Sequence, residues 1–250
     1  THPIPVVRLE HLLAQPYRNL ALGSGLMLVG AMAISSYVPL YVQAGRNGSA
    51  AATAWSVLFL SIGWTIGANV GSRLLDRFSE SAICVAGFGF TVPGLVILAV
   101  ISAVPVGLAT IFTVLSVAGF GIGLTTNAGL TLMRSVTESA SIGRVGSVYQ
   151  FARSQGITVG AALGGAVMLL VVERRLGDVE AVREVLAGQS TGTLGREVNA
   201  AVQVGFSTAA ATGAVVAVVG AVIIVRMRGF LAESRHLRRG RSTTTAGPTG

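Results

Sequence analysis

Residues 119–165 read GFGIGLTTNAGLTLMRSVTESASIGRVGSVYQFARSQGITVGAALGG. An apolar run ends at Met133, a short polar segment turns the chain, and a second apolar run leaves. In the second run Gly156, Gly160 and Gly164 recur at spacing four, which puts them on one face of a helix. Small residues at this spacing inside an apolar run let membrane helices approach closely. Gly63, Gly67 and Gly71 repeat the pattern earlier in the chain. The expectation is that both flat faces dock against a body of protein outside this chain. Packing against helices of the same chain is the other reading.

Composition agrees with a membrane location. Apolar residues make up 52% of the 250 positions and charged residues only 11%, about half the charge of an ordinary soluble domain. The apolar residues fall in long blocks, the mark of a chain that crosses a bilayer repeatedly. The net charge of +8 comes entirely from arginine, since lysine is absent. Most arginines flank apolar blocks, so they are read as topological signals rather than as a nucleic-acid surface. Cys84 is the only cysteine, which excludes an intrachain disulfide and a thiolate metal cluster. The chain begins with Thr1, and a fragment or processed product is expected on that ground.

Six spans are expected, at about 19–43, 53–71, 82–103, 108–133, 145–172 and 200–225. Residues 1–18 read as a linker. Residues 173–199 form a longer polar segment, in which Val179, Val182 and Leu186 suggest a short surface helix. Residues 226–250 form a basic tail with no expected order. Pro93 falls inside the third span, where a kink is expected. An even number of spans puts both termini on one side. The termini and the turns on their side carry Arg8, Arg18, Arg73, Arg77, Arg134, Arg144 and six tail arginines, against five on the other side. Both termini are therefore expected in the cytoplasm.

Four stretches carry a family resemblance: YVPLYVQ at 37–43, SIGWTIGANVGSRLLD at 61–76, GFGIG at 119–123 and FARSQGITVGAALGG at 151–165. In this order and spacing, residues 20–225 resemble the major facilitator superfamily, specifically the C-terminal half of a fourteen-helix drug:proton antiporter. The resemblance implies an all-α integral membrane fold. Its six transmembrane helices would form one half of that architecture, as 3+3 inverted repeats. It also implies a missing N-terminal half and proton-coupled efflux of small amphipathic solutes across the plasma membrane, by alternating access. Asp76 and Arg77 match part of the family's cytoplasmic loop motif and are implied to act at the cytoplasmic gate. Ser72, Ser79 and Glu80 depart from that motif.

Chemistry is sparse. None of the six spans contains Asp or Glu, so an intramembrane proton carrier is expected in the missing half. His2, His11 and His236 lack metal-ligand spacing, and no nucleophile elbow is present. No cofactor, metal site or enzymatic activity is expected. Candidates for the substrate path are the uncharged polar and aromatic residues at membrane depth: Ser35, Tyr37, Tyr41, Trp64, Asn69, Asn127 and Thr131. Tyr37/Tyr41 and Asn127/Thr131 are i, i+4 pairs expected to share a face. Helix–helix hydrogen bonding is the competing role for each. Arg153 is read as snorkelling to the interface or touching ligand. The expected partners are lipid, the missing half, a small-molecule substrate and protons. A non-transporting membrane subunit or an inactive remnant is the alternative.

Overall fold

A long apolar segment in a bilayer must satisfy its own backbone groups, so each run folds as a helix. The computed structural model describes residues 17–135, 137, 142–177 and 193–244. The helices are α1 (Tyr17–Ser35), α2 (Ala50–Leu74), α3 (Glu80–Ser102), α4 (Leu108–Ser135), α5 (Ile142–Leu176) and α6 (Thr193–Thr244). Six segments are long and apolar enough to cross a membrane, and no strand occurs among the described residues.

The first span is not one continuous helix. It breaks at Ser36–Tyr37, resumes at Val38–Leu40 and ends in a π-helical turn, Tyr41–Gly45. The Tyr37 and Tyr41 side chains part company although the Tyr41 N–H donates to the Tyr37 carbonyl at 2.9 Å, as in one helical turn. The Tyr37 hydroxyl donates to the Ala161 carbonyl of α5 at 2.9 Å, whereas Tyr41 donates to the Ser102 carbonyl of α3 at 3.3 Å. Helix α3 is assigned as continuous through Pro93. Beyond the fifth span α5 runs on to Leu176 and stops at Gly177, whose φ of +69° only glycine adopts freely. The tail expected to lack order continues α6 as far as Thr244. The reason lies in its composition: no proline interrupts the chain until Pro248. The surface helix expected around Val179, Val182 and Leu186, and the linker before Tyr17, lie outside the described residues.

Pairing of the helices interlocks the two halves of the chain. Helix α1 packs against α5 and α6, and α4 packs against α2 and α3. Exchanging α1–α3 with α4–α6 turns each pairing into another of the set, and α3–α6 into itself. The α5–α6 contact lacks a comparable α2–α3 partner.

Glycine produces these close approaches, and here the expected role of the stripes is corrected. Gly63, Gly67 and Gly71 lie against the backbone carbonyls of Ser116, Phe120 and Leu124 on α4. Gly156, Gly160 and Gly164 lie against those of Gly25, Val29 and Ala33 on α1. Both stripes are buried inside the six-helix unit and face its own helices, not an outside body. Helices approaching to backbone contact leave no room for a Cβ, and membrane helices gain van der Waals packing from that proximity. The two interfaces, α2–α4 and α5–α1, are counterparts under the exchange. A second glycine set, spaced by seven, joins the outer helices: Gly213 and Gly220 of α6 lie on Gly30 and Gly23 of α1, and Gly87 and Gly94 of α3 on Gly121 and Ala118 of α4.

Two large apolar clusters and a small one, Met168 with Val198 and Val202, fill the interior. Met27, Leu28, Phe88, Ile122, Met133 and Tyr149 belong to one. Ile34, Leu95, Leu98, Leu115 and Phe206 belong to the other, with Tyr41 stacked on Phe206 at 4.3 Å between ring centroids. Arg46 ties the loop after the first span to the α3–α4 turn by donating to the carbonyls of Val104 and Val106.

Candidate functional site

The glycine faces of α2 and α5 point inward, so the opposite faces of these helices are uncovered by the chain. On α2 the uncovered face carries Ser61, Thr65, Asn69 and Ser72, all exposed. On α5 it carries Ser147, Gln150, Ser154 and Thr158, also exposed. Thr65 and Asn69 follow Gly63 and Gly67 by two residues, and Ser154 and Thr158 precede Gly156 and Gly160 by two. Two residues are about 200° of helix rotation, so polar and glycine faces lie on opposite sides. Several of these side chains turn back on their own helix: Ser61 bonds to the Val57 carbonyl at 2.9 Å, Asn69 to Thr65 at 2.8 Å and Thr158 to Ser154 at 3.2 Å. Large hydrophobics are exposed beside these rows too, among them Ile62 and Ile66 on α2 and Phe151, Ile157 and Val159 on α5, whereas on α3 and α6 Phe90, Val96, Ile97, Val215, Val219 and Val222 make hydrocarbon surfaces without such a row. Polar side chains at membrane depth face protein or a wet cavity rather than lipid. The rows of hydroxyl and amide side chains are therefore what sets the α2 and α5 faces apart from those of α3 and α6.

The residues singled out from the sequence divide between this surface and the interior. Asn69 lies on the α2 polar face, and Trp64 is half-buried on α2 near its α4 interface. Asn127 on α4 reaches across to α2, donating to Ser72 Oγ at 2.8 Å and to the Ala68 carbonyl at 3.4 Å. Thr131, one turn on, is half-buried. Ser35 is half-buried and bonds to the Ala31 carbonyl at 2.7 Å. Tyr41 is fully buried at 0% exposure and is a packing residue in this conformation. Asp76 and Arg77 are exposed in the turn after α2 and do not pair with each other.

Tyr37 serves the α1–α5 interface. Its hydroxyl sits where a Cβ on Gly165 would be. Gly165→Ala is expected to lower thermal stability by expelling that hydroxyl from its bond. Adding Tyr37→Phe should recover part of the loss, as a double-mutant cycle of melting temperatures would read. The single Tyr37→Phe change should cost about 0.6 kcal/mol, the scale of a polar contact between membrane helices.

Arg153 is where the structure departs furthest from the sequence reading. It does not snorkel: the side chain is only 8% exposed, buried where α5 meets α4 and α1. Its Nη2 donates to Thr126 Oγ1 at 3.5 Å, its guanidinium lies 5.8 Å from the Tyr149 ring centroid, and its Nη1 has no hydrogen-bond partner. The Tyr149 hydroxyl is likewise unpartnered, tucked over Gly129 with Ser24 beside it. A buried guanidinium with an unused N–H is costly to keep unless function retains it. The signal available in the sequence was an arginine eleven residues into a helix, with the apolar run beginning only three residues later. That position left its direction open, because a side chain as long as arginine can reach out or in.

A search of curated proteins returns no match for this chain. A family model, that of the Major Facilitator Superfamily, matches residues 2–161. The matched region is more than half of the chain and includes α1 to α4 and the first part of α5. With six membrane-crossing helices in interlocked triplets beside that match, the chain belongs to the Major Facilitator Superfamily.

Proposed function

We propose that this membrane transporter exports small amphipathic solutes across the plasma membrane in exchange for protons, and that the six helices act as the C-terminal half of an alternating-access machine. The observation that carries the reading is the pair of polar faces on α2 and α5, left uncovered by the six-helix unit. A second six-helix half supplies their cover, and the substrate path runs between the two halves. Asn69, Asn127, Thr131 and Trp64 stand near that boundary, with Ser35 and Tyr37 on α1. The apolar stretches of the spans carry no carboxylate, with Glu80, Glu173 and Glu197 standing at helix ends, so the proton carrier belongs to the other half. The buried charge of Arg153 is the electrostatic element that this half contributes. Asp76 and Arg77 act at the cytoplasmic gate, and both termini of this segment are cytoplasmic.

Cysteine labelling in native membranes tests the arrangement. Thr65→Cys and Ser154→Cys should react with a water-soluble maleimide and be protected by transported solute. Ile97→Cys on the α3 hydrocarbon face should stay unlabelled. Equal reactivity at all three sites would remove the pathway from this surface. For orientation, Ser49→Cys should label from outside and Ser79→Cys from inside. In vesicles the full transporter should move an amphipathic dye against its gradient when a proton gradient is imposed, and Asp76→Asn should slow that flux at normal abundance.

A further inference from the structure

A groove runs between α3 and α6 on the hydrocarbon side of the unit, away from the polar faces of α2 and α5. It encloses about 530 Å³. Val85, Phe88 and Val92 line one wall and Val218, Val222 and Val225 the other, with Gly89 and Pro93 also facing in. A Cβ on Gly89 would meet nothing within 4 Å, so the missing side chain opens the slot. Arg226 is the one charged residue in the lining among the described residues. It is exposed and forms no hydrogen bond or ion pair among the described residues. It stands at the end of the apolar span Gly195–Met227, where the bilayer core gives way to headgroups.

We propose that this groove binds one anionic phospholipid, with hydrocarbon chain along Gly89 and phosphate on Arg226. From Arg226 to Val218 the slot extends about 12 Å into the membrane at 1.5 Å per residue. An apolar slot of this length suits flexible hydrocarbon. The lining offers almost nothing to hydrogen-bond below Arg226, which excludes a polar solute from its depth. The guanidinium at the mouth presents a fork of N–H donors matched to phosphate oxygens. The charge selects an anionic headgroup over a zwitterionic one, and the position at the span boundary places it at headgroup level.

The test uses the full protein in detergent with equimolar phosphatidylglycerol and phosphatidylcholine, read by native mass spectrometry. One retained lipid per chain is expected, with phosphatidylglycerol favoured about fivefold, the effect of one arginine at an anionic surface. Arg226→Gln should bring the ratio close to one. Gly89→Leu sets its Cβ in open space and extends a side chain into the slot, and should abolish retention of both lipids while the melting temperature holds. Arg73→Gln, at the end of α2, should change neither result. A phosphatidylglycerol preference that survives both Arg226→Gln and Gly89→Leu would overturn the proposal, as would a concentration-dependent dimer that Gly89→Leu dissolves with no lipid retained.

Discussion

Gly67→Leu is expected to leave almost no folded protein. A Cβ at this position falls on the backbone of Phe120, with the Phe120 carbonyl carbon at 2.8 Å and its Cα at 2.9 Å. Backbone in the middle of a helix cannot swing aside as a side-chain tip can, so α2 and α4 must separate along their length. Overpacking a close-packed interior commonly costs 1–3 kcal/mol, and here it also removes the packing that holds the pair together, for an expected total above about 3 kcal/mol. Gly164→Leu should do the same at the α5–α1 interface, where the neighbour is the Ala33 backbone. Gly89→Leu is the internal comparison, since a Cβ there meets nothing within 4 Å. Size-exclusion profiles after detergent extraction check the set: aggregate or no peak for Gly67→Leu and Gly164→Leu, and a normal peak for Gly89→Leu. A normal peak for Gly67→Leu combined with lost transport would restore the idea that these stripes close against another half.

Arg153→Met should separate stability from function. Methionine roughly matches the arginine stem and removes a buried charge whose Nη1 lacks a partner. Replacing buried ionic groups by hydrophobic ones of similar volume is often neutral or stabilising by 1–4 kcal/mol, so a melting temperature equal to or above that of the parent is expected, about 1 kcal/mol in its favour. Transport should fall at least about tenfold, because a retained buried charge in a membrane bundle is a functional group by default. Arg153→Lys keeps the charge but replaces the guanidinium that lies 5.8 Å from the Tyr149 ring centroid, and should retain intermediate flux. Unchanged flux in Arg153→Met with raised stability would assign the arginine no part in transport. A collapse in stability would show instead that its contacts to Thr126 and Tyr149 hold α5 against α4.

Sequence alone determined the number of membrane spans, the all-helical class and the glycine periodicities. Each depends on local terms: apolar length against bilayer thickness, backbone hydrogen bonding without water, and spacing along a helix. The family resemblance was legible for the same reason, because its motifs are short and helical. Tertiary structure decided where each face points. A glycine stripe states that something comes close but not what, and only the pairing of α2 with α4 and α5 with α1 identified the neighbour. The polar faces of α2 and α5 became visible as a surface once the opposite faces were buried. Tyr37 and Tyr41 diverge because their hydroxyls meet different helices, at the Ala161 carbonyl of α5 and the Ser102 carbonyl of α3, and a tertiary partner has no hydropathy signature. Arg153 shows the same limit: its length sets its reach, but the contacts it makes inward, to Thr126 Oγ1 and the Tyr149 ring, come from tertiary packing.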